Sequence, residues 1–74
     1  MSRPPIFSGK EILKTFYKLG FYIHNRKGRH VTLKRDNPPS RVTVLDTPHD
    51  VGLKLFHKIV READITLQEF LNKT

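Results

Sequence analysis

The first regular pattern along the chain is helical and begins after residue 7. Ser8 and Glu11 have capping-box spacing, in which the serine hydroxyl accepts from the Glu11 N–H and the glutamate carboxylate accepts from the serine N–H. The apolar residues that follow at helical spacing are Ile12, Leu13, Phe16, Tyr17 and Leu19. Gly20 suits the left-handed position at which helices end. The pattern predicts a first helix after Ser8 and a flexible lead-in over residues 1–7.

The middle of the chain changes to the alternation that is typical of β-strands. The predicted strands are 21–25, 29–35 and 41–45, and the predicted turns between them are 26–28 and 36–40. In the second strand Val31 and Leu33 point to one face. His30, Thr32 and Lys34 point to the other. Three sequential strands with short links predict an antiparallel sheet.

One face of this sheet is apolar and the other is polar. The expected core face carries Phe21, Ile23, Val31, Leu33, Val42 and Val44. The expected solvent face carries His30, Thr32, Lys34 and Thr43, and also Arg41 if the strand register places it there. Because an apolar face must be buried, we expect the helices to cover the first of these faces.

A second helix is predicted to start at Thr47, with Pro48 as its first helical residue. Its apolar stripe consists of Gly52, Leu55, Phe56, Ile59, Val60 and Ala63. A further capping box at Thr66 and Glu69 predicts a short terminal helical turn. The fold class is therefore α+β, with the order α-β-β-β-α, a three-stranded antiparallel sheet covered on one face by two helices, and a single domain over residues 8–74.

Positive charge is concentrated on the predicted hairpin. The chain has 14 Lys and Arg against 7 Asp and Glu, a formal net charge of +7 and a pI of about 10.2. The cations between His24 and Arg41 are Arg26, Lys27, Arg29, Lys34, Arg35 and Arg41, and Asp36 is the acid among them. Clustered cations repel one another unless a polyanion such as RNA neutralises them. The alternative interpretation is a sheet edge that uses Lys and Arg to prevent aggregation.

Composition narrows the remaining function classes. The sequence has no cysteine, which excludes disulfides and thiolate metal sites and favours the reducing cytoplasm. No apolar run reaches the roughly 18 residues of a membrane span. No close histidine pair is present, so no metal site is expected. No phosphate-binding glycine loop is present either, and no small-molecule cofactor is expected.

His30 is the histidine best placed for chemistry, because it follows the turn at Lys27–Arg29 on the polar face. A neutral imidazole can take the proton of a ribose 2′-OH, whose oxygen then attacks the adjacent phosphate. Nearby cations stabilise the charge that develops on the phosphate. An exposed histidine on a strand is more often only a surface residue, so the pattern by itself leaves catalysis open.

Several short segments form a recognisable series along the chain, namely Ser8–Glu11, Leu19–Phe21, Gly28–His30, Val42–Val44, Pro48–His49, Phe56–Ile65 and Glu69–Leu71. In order and spacing they resemble the HicA-type toxins, the ribonuclease half of a type II toxin–antitoxin pair. The segments span nearly the whole chain. Arg29 stands where the family has the serine of its Gly-Ser-His motif, so a cation replaces a hydroxyl. Pro48 and His49 are adjacent, whereas the family separates them by one residue.

The resemblance implies a fold like that of double-stranded-RNA-binding domains and cleavage of mRNA without a metal. It implies that His30 is catalytic and that a HicB-type antitoxin covers the active face. The residues expected to contact RNA are Lys27, Gly28, Arg29, Lys34, Arg35 and Arg41. His49 is a possible second proton-transfer residue. Two alternatives stay open: a non-catalytic RNA-binding module, and an interaction domain whose basic face docks an acidic protein.

Overall fold

A computed structural model describes residues 6–74 of the chain. Its elements in chain order are β1 (Phe7–Ser8), α1 (Gly9–Lys18), β2 (Tyr22–Lys27), β3 (His30–Asp36), β4 (Pro39–Leu45), β5 (Asp50–Val51), α2 (Leu53–Glu62) and α3 (Leu67–Leu71). Strands β2, β3 and β4 form an antiparallel sheet in that order, and β1 pairs with β5 separately. The α+β class and the helix–sheet order are confirmed. Over residues 6–74, no helix is long and apolar enough to cross a membrane.

Helix α1 begins and ends as predicted. The Ser8 hydroxyl accepts from the Glu11 N–H at 3.1 Å, and the Glu11 carboxylate accepts from the Ser8 N–H at 2.8 Å. Gly20 follows the helix with φ of 94°, a conformation that favours glycine. The predicted lead-in over residues 1–7 lies mostly outside the described residues. Phe7, however, is paired with Val51 in β1, so it is not part of a flexible segment.

The second helix begins later than Thr47, and the predicted start is wrong. Residues 50–51 are extended and form β5, which pairs with β1. Val51 is thereby turned into the core, where it is 7% exposed. Helix α2 starts at Leu53 after Gly52, which occupies the N-cap position and has no side chain to cap the helix. The pairing of β5 with β1, which is distant in sequence, overrides the local helix-start signal. The pairing both satisfies backbone hydrogen-bonding groups and buries the Val51 side chain.

The core lies between the sheet and the helices. Phe70 of α3 is fully buried, and its ring lies 5.0 Å from that of Phe56, 5.3 Å from that of Phe7 and 5.8 Å from that of Phe16. The terminal helix therefore closes the core instead of being a loose turn. Buried strand residues complete the core face as predicted, namely Val31, Leu33, Val42 and Val44.

Ile23 is the exception on this face. It lies opposite Leu33 and so points to the helix side of the sheet, yet it remains 47% exposed. Both helices pack mainly on β4, whereas β2 is the far edge strand and every one of its residues is exposed. The expectation that Ile23 is a core residue is therefore wrong, because the helix layer does not extend over β2. A β-bulge between Ile23 and Asn25 follows directly.

Candidate active site

The turn between β2 and β3 consists of Gly28 and Arg29. Gly28 has φ of 59°, and a positive φ at the first of two loop residues matches the hairpin turn that follows the twist of the strands. Apart from Gly28 and its two chain neighbours, no residue has a heavy atom within 4 Å of the position that a Gly28 Cβ would occupy. Glycine is thus required here by backbone conformation, and space around the turn is open to a ligand.

Strand register places His30 in a defined row of side chains. Residues directly opposite one another in an antiparallel sheet point to the same side. His30 lies opposite Lys27 on β2 and Leu45 on β4, and its neighbours Val31 and Val44 point into the core. His30 therefore projects from the face turned away from the helices, which we call the outer face. Its side chain is exposed, and Lys27 is the cation next to it.

The outer face continues away from His30 in two further rows. Thr32 and Thr43 form the next row, with their hydroxyls 3.3 Å apart. Lys34 and Arg41 are opposite one another in the row beyond. At about 3.3 Å per residue, this second cationic row lies about 13 Å from His30. Lys27, His30, Lys34 and Arg41 thus share one surface. The alternation predicted this for His30 and Lys34, and the strand register adds Lys27 and Arg41.

An acid and an aromatic residue occupy the far end of this surface. Tyr22 lies opposite Lys34, and its hydroxyl donates to the Asp36 carboxylate at 2.7 Å. That hydrogen bond raises the pKa of the Tyr22 phenol. Tyr22 is 43% exposed but held in place by this contact, and it is the single aromatic residue that the register puts on the outer face of β2. Negative charge is therefore placed at the end of the sheet away from His30.

Arg35, one of the expected RNA contacts, does not lie on the outer face. It has the same parity as Val31 and Leu33, so its side chain lies on the helix side. Its guanidinium carbon is 4.7 Å from the centre of the Phe21 ring, and its Nε donates to the Pro38 carbonyl at 3.1 Å. These contacts make Arg35 part of the packing at the sheet end, separate from the His30 surface.

Arg29 belongs to a second cluster of cations, around Asp46. The Asp46 N–H donates to the Arg29 carbonyl at 2.7 Å, which ties the end of β4 to the hairpin turn. The Asp46 carboxylate pairs with Lys10 at 3.0 Å and with Arg26 at 2.5 Å. The hydrogen bond from Lys10 is the main cause that lowers the pKa of Asp46, and the charges of Arg26 and Arg29 act in the same direction against partial desolvation.

Asp46 was not identified from the sequence. It stands directly after β4 and has no motif around it, and its partners come from α1, β2 and the turn. The arrangement holds Arg26 on the helix side of the sheet, opposite Val31, and fixes the turn that carries Gly28. The cations around Asp46 thus border the His30 row without lying in it.

His49 lies in the segment between β4 and β5. Its backbone N–H donates to the Thr47 hydroxyl at 3.2 Å, and its carbonyl accepts from the Gly9 N–H at 3.3 Å. These bonds fix the backbone beside the start of α1. Within residues 6–74, no hydrogen bond connects the exposed His49 ring with His30.

The candidate site is an open surface. Of the depressions on residues 6–74, one is lined mainly by residues of α1 and by Thr74 and another by residues of α2, and neither of these includes His30. In the described part of the chain, no group of three or more His, Asp or Glu side chains is arranged to hold a metal ion. A flat, cationic face with one histidine suits a long anionic ligand better than a small molecule.

Comparison with known proteins agrees with the motifs. A family model described as the HicA toxin of bacterial toxin–antitoxin systems matches residues 9–65, well over half of the 74-residue chain. No curated protein matches the chain. The matched region includes α1, the whole sheet with its hairpin, and α2. A toxin of this kind is paired with a type II antitoxin. The chain therefore belongs to the HicA toxin family.

Proposed function

We propose that this protein is a metal-independent endoribonuclease that cleaves mRNA in the cytoplasm, with His30 as its catalytic residue. The observation that carries the proposal is the outer face, on which an exposed histidine shares a row with Lys27 and lies two rows from Lys34 and Arg41. The family assignment supports a toxin role and is consistent with this chemistry.

The reaction requires one proton acceptor next to a ribose–phosphate link. The His30 imidazole takes the 2′-OH proton, the 2′ oxygen forms a bond to the adjacent phosphorus, and the bond from phosphorus to the 5′ oxygen breaks. The leaving 5′ oxygen receives a proton from the imidazolium or from water. The products are a 2′,3′-cyclic phosphate and a 5′-hydroxyl. Lys27, which lies opposite His30, stabilises the negative charge on the phosphate in this proposed step.

The RNA is held by the other groups of the hairpin. Lys34 and Arg41 contact phosphates further along the strand, Arg29 contacts the backbone at the turn, and the open space around Gly28 permits close approach of the RNA. Arg35 is left out of the proposed contacts because Phe21 and Pro38 hold its guanidinium on the other face. His49 is kept as a possible proton donor to the leaving oxygen. A HicB-type antitoxin is the proposed inhibitor, and it would cover the outer face.

Cleavage of a defined mRNA in EDTA tests the proposal. We expect fragments with cyclic phosphate ends from the wild type and none from His30→Ala, with RNA binding retained by the variant. His24→Ala is the matched control, since His24 is an exposed histidine of the same hairpin that lies at the bulge of β2. Cleavage that persists in His30→Ala, or that stops in EDTA, contradicts the proposed mechanism.

A non-catalytic RNA-binding module is the second candidate. It is favoured by the His30 ring itself, which has no hydrogen-bond partner among residues 6–74 to orient it, and by Arg29 in place of the family serine. This function predicts RNA binding with no fragments under any condition. The same cleavage assay therefore separates the two functions.

A further inference from the structure

Helix α2 presents a polar face that the proposed RNA chemistry does not use. Lys54, His57, Lys58 and Arg61 are all exposed and follow the spacing i, i+3, i+4 and i+7. We call this set the α2 stripe. With about 100° of rotation per residue, the centre of the stripe lies roughly 160° from the centre of the buried face of α2. The stripe is about 10 Å long and points away from the core.

The cations of the stripe have no partners within the described chain. The two ion pairs formed by residues 6–74 both involve Asp46, and neither includes a residue of the stripe. Glu62 is the acid of α2, and helical geometry places it about 90° from the centre of the stripe. Arg61 lies in the last turn of α2, where a cation complements the helix dipole. The like charges at spacings of three and four weaken a helix slightly. The fold therefore gains little from the stripe as a whole.

An apolar depression adjoins these charges. Leu53 is 38% exposed at the start of α2, and it lines an open depression of about 330 Å³ together with Lys54, His57 and Arg61. An exposed leucine flanked by unpaired cations matches a ligand that has carboxylates beside an apolar side chain. Charge complementarity of this kind directs association between protein surfaces.

We propose that the α2 stripe and its depression bind an acidic, amphipathic segment of a partner protein. Carboxylates of the segment pair with Lys54, Lys58 and Arg61, and an apolar side chain of the segment packs on Leu53. The surface faces away from the outer face, because the helices cover the opposite side of the sheet. The partner segment and an RNA on His30 therefore use separate surfaces, and the proposal does not depend on catalysis.

Other ligands of basic helices fit this surface less well. RNA phosphates need cations but have no use for the apolar depression. A membrane-surface helix must turn its apolar face to lipid, whereas the apolar residues of α2 are buried in the core, including Phe56, Ile59 and Val60. An acidic peptide uses both features.

Binding of designed peptides to the full-length protein tests the proposal by fluorescence anisotropy. The first peptide is a short labelled helix with glutamates along one face and a leucine among them, and two control peptides replace the leucine by serine or the glutamates by glutamine. We expect the first peptide to bind most tightly. The triple variant K54E/K58E/R61E should weaken its binding by about tenfold or more, since it reverses three complementary charges.

Two further proteins make the result decisive. The variant K14E/K18E/K73E replaces three exposed lysines outside the stripe and has the same net charge as K54E/K58E/R61E. Its affinity for the peptide should stay within about twofold of the wild type. K54Q/K58Q/R61Q removes charge without reversal and should weaken peptide binding while circular dichroism stays unchanged. The proposal is overturned if the serine peptide binds as tightly as the leucine peptide, or if both triple glutamate variants weaken binding equally. It is also overturned if the stripe variant loses affinity for single-stranded RNA or for phosphatidylserine vesicles but not for the peptide.

Discussion

Replacing Lys27, Lys34 and Arg41 together by glutamine removes the cations that lie on the outer face with His30. Lys27 is directly opposite His30 in the sheet, and Lys34 is opposite Arg41. The three side chains therefore meet a strand that crosses this face, and none of them forms an ion pair with another residue of 6–74. Their loss should weaken RNA binding mainly through phosphate contacts.

The magnitude follows from counterion release. Each neutralised phosphate on a single strand contributes about −0.7 to the slope of log K against log salt concentration. Removing three contacts should make the slope less steep by about 2. Between about 50 and 200 mM salt, the affinity of the wild type should then fall about 20-fold more than that of the triple variant.

Fluorescence anisotropy with a labelled single-stranded RNA over this salt range measures both slopes. Arg35→Gln is the matched control, because Arg35 lies on β3 between the same strands but stacks on Phe21 on the helix side. It should leave the slope unchanged and lower stability by about 0.5–1 kcal/mol, the value of an exposed cation–π contact. The assignment of faces is refuted if Arg35→Gln changes the slope by one third of the change seen in the triple variant, which is the share expected for one lost phosphate contact.

Three other predictions concern the core, the hairpin turn and Asp46. Phe70→Ala should lower the free energy of unfolding by about 3–5 kcal/mol, measured by urea denaturation, because its ring joins α3 to the core. Gly28→Ala should cost about 1–2 kcal/mol, because φ is 59° there, and should slow cleavage, whereas Gly52→Ala at φ of −61° should cost far less. The pKa of Asp46 is lowered in the fold, so its contribution to stability is complete above its ordinary value of 3.8 and is lost as the pH falls through the lower folded value. Below pH 3.8, the Asp46→Asn variant should therefore lose less thermal stability with falling pH than the wild type does. If thermal melts show the same pH dependence for both proteins, the Lys10–Asp46 contact is contradicted.

Much of the candidate site was readable from the alternation on β3. Val31 and Leu33 on one face imply His30 and Lys34 on the other, and the structure agrees. The same rule places Arg35 with the core residues, so its exclusion from the outer face was also available from the sequence. Arg35 was nevertheless included among the expected RNA contacts, because it belongs to the cluster of cations on the hairpin. The face on which Lys27 lies does not follow from the alternation on β3, because it depends on the length of the turn. One more residue in the loop would have moved Lys27 to the other face.

Local signals determined the first helix and its caps, the strand order, the hairpin glycine and the face on which His30 lies. Each of these depends on residues that are close together in the chain, and alternation or capping geometry expresses them directly. The tertiary structure decided which strand the helices leave uncovered, and so the exposure of Ile23. It also decided that residues 50–51 pair with β1 instead of opening α2, and that Asp46 gathers Lys10 and Arg26. These features join segments that are far apart in the sequence. Whether such contacts form depends on how the distant segments pack together, and the sequence pattern around any one residue does not specify that.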